Sequence, residues 1–302
     1  LVGTRPDTTT KKLAQSCAAF HVLPNDPSLS AEQIANDELD VLIYPELGMN
    51  RHLLKLAALR LAPLQAVTWG HPITTGLPTV DVFLSSDTME TTGAENHYTE
   101  RLVRLPGLSL VMNNLPAPKF SRTKSDFGLP ADKTLFLIPQ SLFKLVPEHD
   151  WIYGEIAKRL PNAHFCFIAN AAAQSTDGAT KTVKDRLERA FESATSNEPR
   201  FTLLPGQSHD EFLALNACAD VFLDAPGWSG GRTTLEALGC GLIPITCAGP
   251  MMRQRHTAAI LTELGWPEWV AHSTEEYVEL ATRLGSDATL RERLKSELPN
   301  RI

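Results

Sequence analysis

The segment DVFLDAPGWSGGRTTLEALGCG, residues 220–241, predicts a strand, a glycine corner and a helix in direct succession. Residues 221–223 form a short apolar run typical of a buried strand, and a proline follows it closely. Gly230 and Gly231 supply the corner, and residues 233–238 have the spacing of the first turns of a helix. This arrangement leaves backbone N–H groups free at the positive end of a helix, where a phosphate is stabilised.

Three side chains near the corner fit the same interpretation. Thr233 and Thr234 can add hydroxyl donors, and Glu236 lies one turn further, where its carboxylate can accept hydrogen bonds from sugar hydroxyls. Glycines without side chains let the backbone approach the phosphate. The segment is equally consistent with an ordinary connection between a strand and a helix, in which the glycines serve only the turn.

The composition is that of a soluble globular protein. At 302 residues, with 43% hydrophobic and 21% charged residues, we expect two domains with a core each. The formal net charge of −7 argues against a nucleic-acid partner, and no apolar run is long enough to span a membrane. The cysteines form no CxxC pair and mostly lie in apolar runs, so we expect reduced thiols and a cytoplasmic protein. The chain begins without a methionine, and we expect it to be part of a longer protein.

Apolar runs and helical patterns alternate along the chain, which predicts parallel sheets covered by helices. A capping box of Ser30 and Gln33 predicts the start of an early helix. In the first part of the chain, strands are predicted at residues 20–23, 41–44, 64–69, 82–84 and 102–105.

The stretch PAPKFSRTKSDFGLP, residues 116–130, combines prolines and charges with no periodicity, and we interpret it as a linker. A second alternation of strands and helices follows it. The predicted domains are therefore residues 1–120 and 121–302. Ligands of such folds bind at the carboxyl ends of the strands, so we expect a cleft there.

Lys144 follows a predicted strand directly, where it can neutralise a pyrophosphate leaving group, although a lone lysine on a loop is more commonly just solvated. His209 starts a predicted helix and can bind a phosphate or a base, or lie on the surface. His71 stands between Gly70 and Pro72; it can contact a sugar, transfer a proton, or serve only the turn.

Several motifs are missing from the sequence. It contains no DxD pair and no metal-ligand spacing, so we expect no metal. It also lacks the P-loop and the GxGxxG dinucleotide fingerprint. These absences make a P-loop kinase or ATPase and a dinucleotide-binding site poor interpretations of the chain.

The chain resembles the catalytic region of the O-GlcNAc transferase family, which includes SPINDLY-like proteins and bacterial relatives. The resemblance covers nearly the whole chain, and the GHPxTT form is similar to that of bacterial members. It is carried by YPELGM (44–49), RLAPLQAVTWGHPITTG (60–76), HYTERLVRLPG (97–107), PQSLFK (139–144) and ADVFLDAPGWSGGRTTLEAL (219–238).

The resemblance implies a GT-B fold of two Rossmann-like domains with parallel sheets facing a cleft, the N-terminal one incomplete here. It implies no cofactor, an acceptor side in residues 1–120 and a UDP-sugar donor held by residues 121–302. It also implies tetratricopeptide repeats upstream in the full-length protein. Lys144 and His71 take the catalytic positions. The donor-binding positions are Gln140, Ser141, Lys144, His209, Gly230, Gly231, Arg232, Thr233, Thr234, Glu236, Gly70 and Pro72.

The function implied is inverting, metal-independent transfer of GlcNAc or a hexose from a UDP-sugar to a serine or threonine of a protein. UDP-GlcNAc and UDP-glucose are both open as donors. Three alternatives also stay open: glucosylation of asparagine, epimerisation of the UDP-sugar itself, and a non-catalytic module that binds UDP or a protein.

Overall fold

The computed structural model describes residues 7–110, 115–169, 178–194 and 200–301. The chain forms two compact units, Leu1–Ser109 and Leu110–Ile302. Both are built from parallel strands and helices in alternation, as the family resemblance implies for a GT-B fold. The assignment of an acceptor side to residues 1–120 and a donor side to residues 121–302 stays a prediction.

The first unit contains a four-stranded parallel sheet with the order β1-β2-β3-β4. Buried side chains of Ala31, Ile34 and Leu56 pack two of its helices together. Its elements are α1 (Thr8–Ser16), α2 (Pro27–Asn36), β1 (Val41–Tyr44), α3 (Arg51–Ala57), β2 (Leu64–Thr68), β3 (Val82–Ser86) and β4 (Arg101–Leu105).

The second unit begins its sheet with β5 (Thr134–Ile138), and the six parallel strands have the order β10-β9-β8-β5-β6-β7. The other strands are β6 (Ala163–Ile168), β7 (Phe201–Leu204), β8 (Val221–Leu223), β9 (Pro244–Cys247) and β10 (Val270–Ala271). The helices are α4 (Asp150–Arg159), α5 (Gly178–Glu192), α6 (His209–Cys218), α7 (Arg232–Gly239), α8 (His256–Glu263), α9 (Thr274–Ser286) and α10 (Ala288–Glu297).

The central strands of the second sheet are apolar because both of their faces are covered by helices. In β8, all three residues are buried, and Phe222 pairs with Leu137 of β5. Leu137, Cys166, Leu215, Phe222 and Ala237 belong to one core cluster that joins the sheet to α6 and α7. The opening strand–glycine–helix segment is therefore anchored at both ends in the core.

Two predictions near the N-terminus are wrong. Residues 20–23 form no strand, since this short apolar run has no strand beside it to complete a ladder. Helix α2 begins at Pro27 rather than at Ser30, because the Asp26 carboxylate accepts from the N–H groups of Ser28 and Leu29.

The segment 116–130 is anchored to the second unit and is not a loose linker. Lys124 lies in a short 3-10 turn, Lys124–Phe127, and its ammonium donates to Asp220 at 2.5 Å. Leu129 is buried in the core cluster. In the part of the chain that the structure describes, no helix is long and apolar enough to cross a membrane.

Gly154 in α4 is required by close packing against α5. A Cβ atom at this position would lie 2.4 Å from the carbonyl oxygen of Ala190. We expect Gly154→Ala to lower the free energy of unfolding by about 1–3 kcal/mol, measured by urea denaturation. Gly178→Ala is the control, because no atom of the described residues lies within 4 Å of its Cβ position. Equal stability of both variants would contradict the close approach of α4 and α5.

Candidate functional site

A cleft of about 420 Å³ opens at the carboxyl edge of the second sheet. The strands β5 to β9 are parallel, so their carboxyl ends meet at this edge. This is where open parallel sheets bind ligands. The cleft is lined by Pro139, Ser141, Ile168, Ala169, Gly206, Gln207, His209, Phe212, Arg232, Thr233 and Glu236.

Asp224, one residue beyond β8, holds the loops of this edge together. Its side chain is buried, and burial raises the pKa of the carboxyl while the hydrogen bonds from its neighbours oppose that rise. Oδ1 accepts from Gln140 Nε2 at 2.9 Å and from the Gly230 N–H at 2.7 Å. Oδ2 accepts from Ser229 Oγ and Thr246 Oγ1, both at 2.6 Å. One carboxylate thus connects the segments that follow β5 and β8 to β9.

The glycine corner is tightly packed. Gly230 exposes its backbone there, and its lack of a side chain also leaves room for the neighbouring threonines. A Cβ atom on Gly230 would lie 2.4 Å from Thr233 Oγ1. Thr234 is fully buried, and its hydroxyl donates to the Gly230 carbonyl at 2.8 Å. The sequence predicts Thr234 as a hydroxyl donor to the ligand; the structure places it inside the protein, where it fixes the corner, and the predicted role stays a prediction.

Helix α7 begins beside the cleft with Gly231 as its N-cap, and no side chain caps it. The first N–H groups of a helix lack partners within the helix. Thr233 is half-buried and lines the cleft, as the sequence predicts for a residue at the helix start. The start of α7 therefore presents backbone donors and positive helix-dipole potential at the cleft.

Glu236 is almost completely buried, and its carboxylate is held by two basic side chains. Oε1 accepts from Arg232 Nε at 2.7 Å and lies 2.9 Å from His209 Nε2. In the described residues, Oε2 has no hydrogen-bond partner. Arg232 and His209 thus both line the cleft and both contact Glu236, and their donor-binding roles stay predictions.

Lys144 ends a short 3-10 turn, Leu142–Lys144, that follows β5. Its ammonium is half-buried and lies 5.7 Å from the centre of the Trp228 indole. Within the described ranges, it has neither a hydrogen bond nor an ion pair. Burial lowers the pKa of Lys144, and the negative charge of Asp224 opposes this effect. A partly buried ammonium without a partner is suited to an anionic ligand.

The remaining predicted residues of this loop have different positions. Ser141 lines the cleft, but Gln140 is buried and its amide binds Asp224. Gln140 therefore supports the loop from inside the protein, and the donor-binding role that the resemblance implies for it stays a prediction.

Gly70, His71 and Pro72 belong to the first unit, in the loop after β2. The His71 ring packs on Gly48, where a Cβ atom would lie 2.4 Å from Cδ2 and where φ is +131°. Glu100 holds the same loop by accepting from Thr74 Oγ1 at 2.7 Å and from the Thr75 N–H at 2.8 Å. The roles predicted for these three residues stay predictions.

Sequence reasoning missed Asp224 and Glu100. Asp224 begins the run DAPGWSGG, residues 224–231, directly after a fully apolar strand. This position was the only feature of the sequence that could have indicated its role.

Among the described residues, no group of three or more histidines, cysteines, aspartates or glutamates could hold a metal ion.

The family model of Glycosyl transferase family 41 matches residues 111–301. The chain belongs to this family. It is 28% identical over 276 residues to the probable UDP-N-acetylglucosamine–peptide N-acetylglucosaminyltransferase SPINDLY of Arabidopsis thaliana, covering 90% of this chain and 29% of that protein. The corresponding SEC protein of the same plant is 27% identical over 279 residues, covering 89% of this chain and 27% of that protein.

Two solved structures are similar to this chain. A mutant O-GlcNAc transferase of Thermobaculum terrenum matches with a TM-score of 0.82 and 28% identity, over 98% of this chain and 55% of that one. Trehalose-6-phosphate synthase OtsA, at 14% identity and a TM-score of 0.56, covers 91% of this chain and 71% of that one and shares the fold. The family resemblance and the fold class predicted from the sequence are confirmed. The chain spans less than a third of the length of each of these two plant relatives.

Replacing Asp224 tests its role as the anchor of the site. Asp224→Ala leaves buried donors without an acceptor, and each such group costs about 1–3 kcal/mol. We expect the variant to lose about 3 kcal/mol of unfolding free energy in urea denaturation. Asp132→Ala, at an exposed position, should be neutral. Equal stability of the two variants would contradict the anchoring role.

Proposed function

We propose that the protein is an inverting, metal-independent glycosyltransferase that moves GlcNAc or a hexose from a UDP-sugar to a serine or threonine of a protein acceptor. The observation that carries the proposal is the half-buried ammonium of Lys144, which follows β5 at the edge where α7 begins and which, among the described residues, has neither a hydrogen bond nor an ion pair. A diphosphate would satisfy both the ammonium and the backbone donors of the helix. Family membership supplies the class of reaction.

The cleft supports a sugar nucleotide as the ligand. Its volume lies within the range of small-molecule sites, about 300–1,000 Å³. Glu236 offers Oε2 as an acceptor for ribose hydroxyls, and the α7 start accommodates the phosphates. The plant relatives and the bacterial enzyme are named for transfer of N-acetylglucosamine, which favours UDP-GlcNAc over UDP-glucose.

Lys144 and the first N–H groups of α7 would stabilise the negative charge that develops on UDP as the sugar leaves. In other transferases a metal ion stabilises this charge. We propose that this protein needs no metal ion for the transfer. Inversion of the sugar carbon and the participation of His71 rest on the family resemblance.

The proposed acceptor is a protein side chain, since the plant relatives are named as peptide transferases.

All five cysteines are free thiols, which supports the proposed cytoplasmic location. Upstream tetratricopeptide repeats stay a prediction.

The direct test incubates the full-length protein with UDP-GlcNAc or UDP-glucose, and with peptides that contain serine, threonine or asparagine, followed by mass spectrometry. We expect a sugar on serine or threonine peptides, at the same rate with EDTA present. Modified asparagine would instead establish an N-glycosyltransferase. A new UDP-sugar without modified peptide would indicate an epimerase, and binding of UDP without any product a non-catalytic module. Loss of transfer in EDTA would contradict metal independence.

Lys144→Ala removes the proposed stabilisation of the leaving group. Loss of one such electrostatic contact costs about 10²–10³ in rate, and we expect a decrease of this size in kcat. Lys158→Ala, an exposed lysine in α4, is the matched control and should keep the parent rate. Circular dichroism should show both variants folded. An unchanged kcat in folded Lys144→Ala would exclude the role of this ammonium.

A further inference from the structure

We propose that Arg253 is a second diphosphate-binding residue, which shares the charge of the leaving group with Lys144. This inference rests on the proposed function and extends its donor site to the segment that follows β9. Nothing in the sequence motifs singled out Arg253.

The sheet order brings the two cations to one aromatic ring. Strand β8 lies between β5 and β9, and all three are parallel. The segments beyond their carboxyl ends carry Trp228 after β8, Lys144 after β5 and Arg253 after β9. The Trp228 ring centre lies 5.7 Å from Lys144 Nζ and 6.0 Å from Arg253 Cζ.

Backbone contacts fix Arg253 against the glycine corner. The Ser229 N–H donates to the Arg253 carbonyl at 2.7 Å, and Ser229 directly precedes Gly230. The Ser229 hydroxyl in turn donates to Asp224. The main chain of Arg253 is therefore connected to the same network that positions the start of α7.

The guanidinium of Arg253 has no carboxylate to neutralise it. In the described parts of the chain, it makes neither a hydrogen bond nor an ion pair, and its contact is with the indole. Arg232, in comparison, is neutralised by Glu236. A contact between a cation and an aromatic ring is weaker than an ion pair with a carboxylate. Two cations at one indole, both without carboxylates, are the arrangement expected where a multiply charged anion binds.

The positions of Lys144 and Arg253 favour a diphosphate over an acidic peptide as the ligand. Arg253 is bound through its backbone to the residue next to the phosphate-binding corner, and Lys144 shares its indole. An anion that reaches both cations would therefore lie beside the segment that leads into α7. The diphosphate of a sugar nucleotide has the charge and the position for this contact.

Calorimetry with UDP and with uridine separates the phosphate contact from the rest of the site. We expect Arg253→Gln to weaken the binding of UDP by the full-length protein about tenfold, as for one charge-assisted hydrogen bond, and to leave uridine binding unchanged. Arg253→Lys should recover most of the affinity for UDP. Arg283→Gln is the matched control, because Arg283 lies 5.5 Å from the Trp269 ring, on α9.

Unchanged binding of UDP by Arg253→Gln would overturn the inference and leave the proposed function intact, provided that the parent binds UDP. Equal losses for UDP and uridine would also overturn it, since they indicate a general disturbance of the site. A higher KM for an acidic acceptor peptide with unchanged UDP affinity would assign Arg253 to the acceptor instead. Failure of the parent to bind UDP would refute the proposed function itself.

Discussion

The buried carboxylate of Asp224 is the constraint on which the edge of the second sheet depends. It accepts hydrogen bonds from Gln140, Ser229, Gly230 and Thr246, which come from the segments around three neighbouring strands. Donors inside a protein are costly to leave unpaired, so these segments cannot move independently. The glycine corner and the Lys144 loop are therefore arranged before any ligand arrives, which is the condition for electrostatic stabilisation of a leaving group.

Charge divides this edge into two parts. On one side, Arg232 and His209 both contact Glu236, so that the basic groups there are largely neutralised. On the other side, Lys144 and Arg253 meet the Trp228 indole without a carboxylate of their own. A ligand with an uncharged, hydroxyl-bearing end and a strongly anionic middle matches this division. A nucleoside diphosphate linked to a sugar has this distribution of charge.

The strand–glycine–helix segment could be predicted because its signals are local: an apolar run, two glycines and helical spacing. The strand predicted at residues 20–23 was wrong because an apolar run becomes a strand only beside another strand. The burial of Gln140 and Thr234 could not be predicted, since the direction of a loop side chain depends on its packing. Arg253 and Trp228 come together only through the order of β5, β8 and β9, which local sequence patterns do not specify.

A crystal structure of the protein with bound UDP tests the central claim most directly, because it locates the diphosphate relative to the corner that Asp224 holds. The account predicts phosphate oxygens within hydrogen-bond distance of the first N–H groups of α7 and of Lys144 Nζ, with the Asp224 contacts unchanged. A diphosphate bound elsewhere, with Lys144 still against Trp228 and the start of α7 unoccupied, would contradict it.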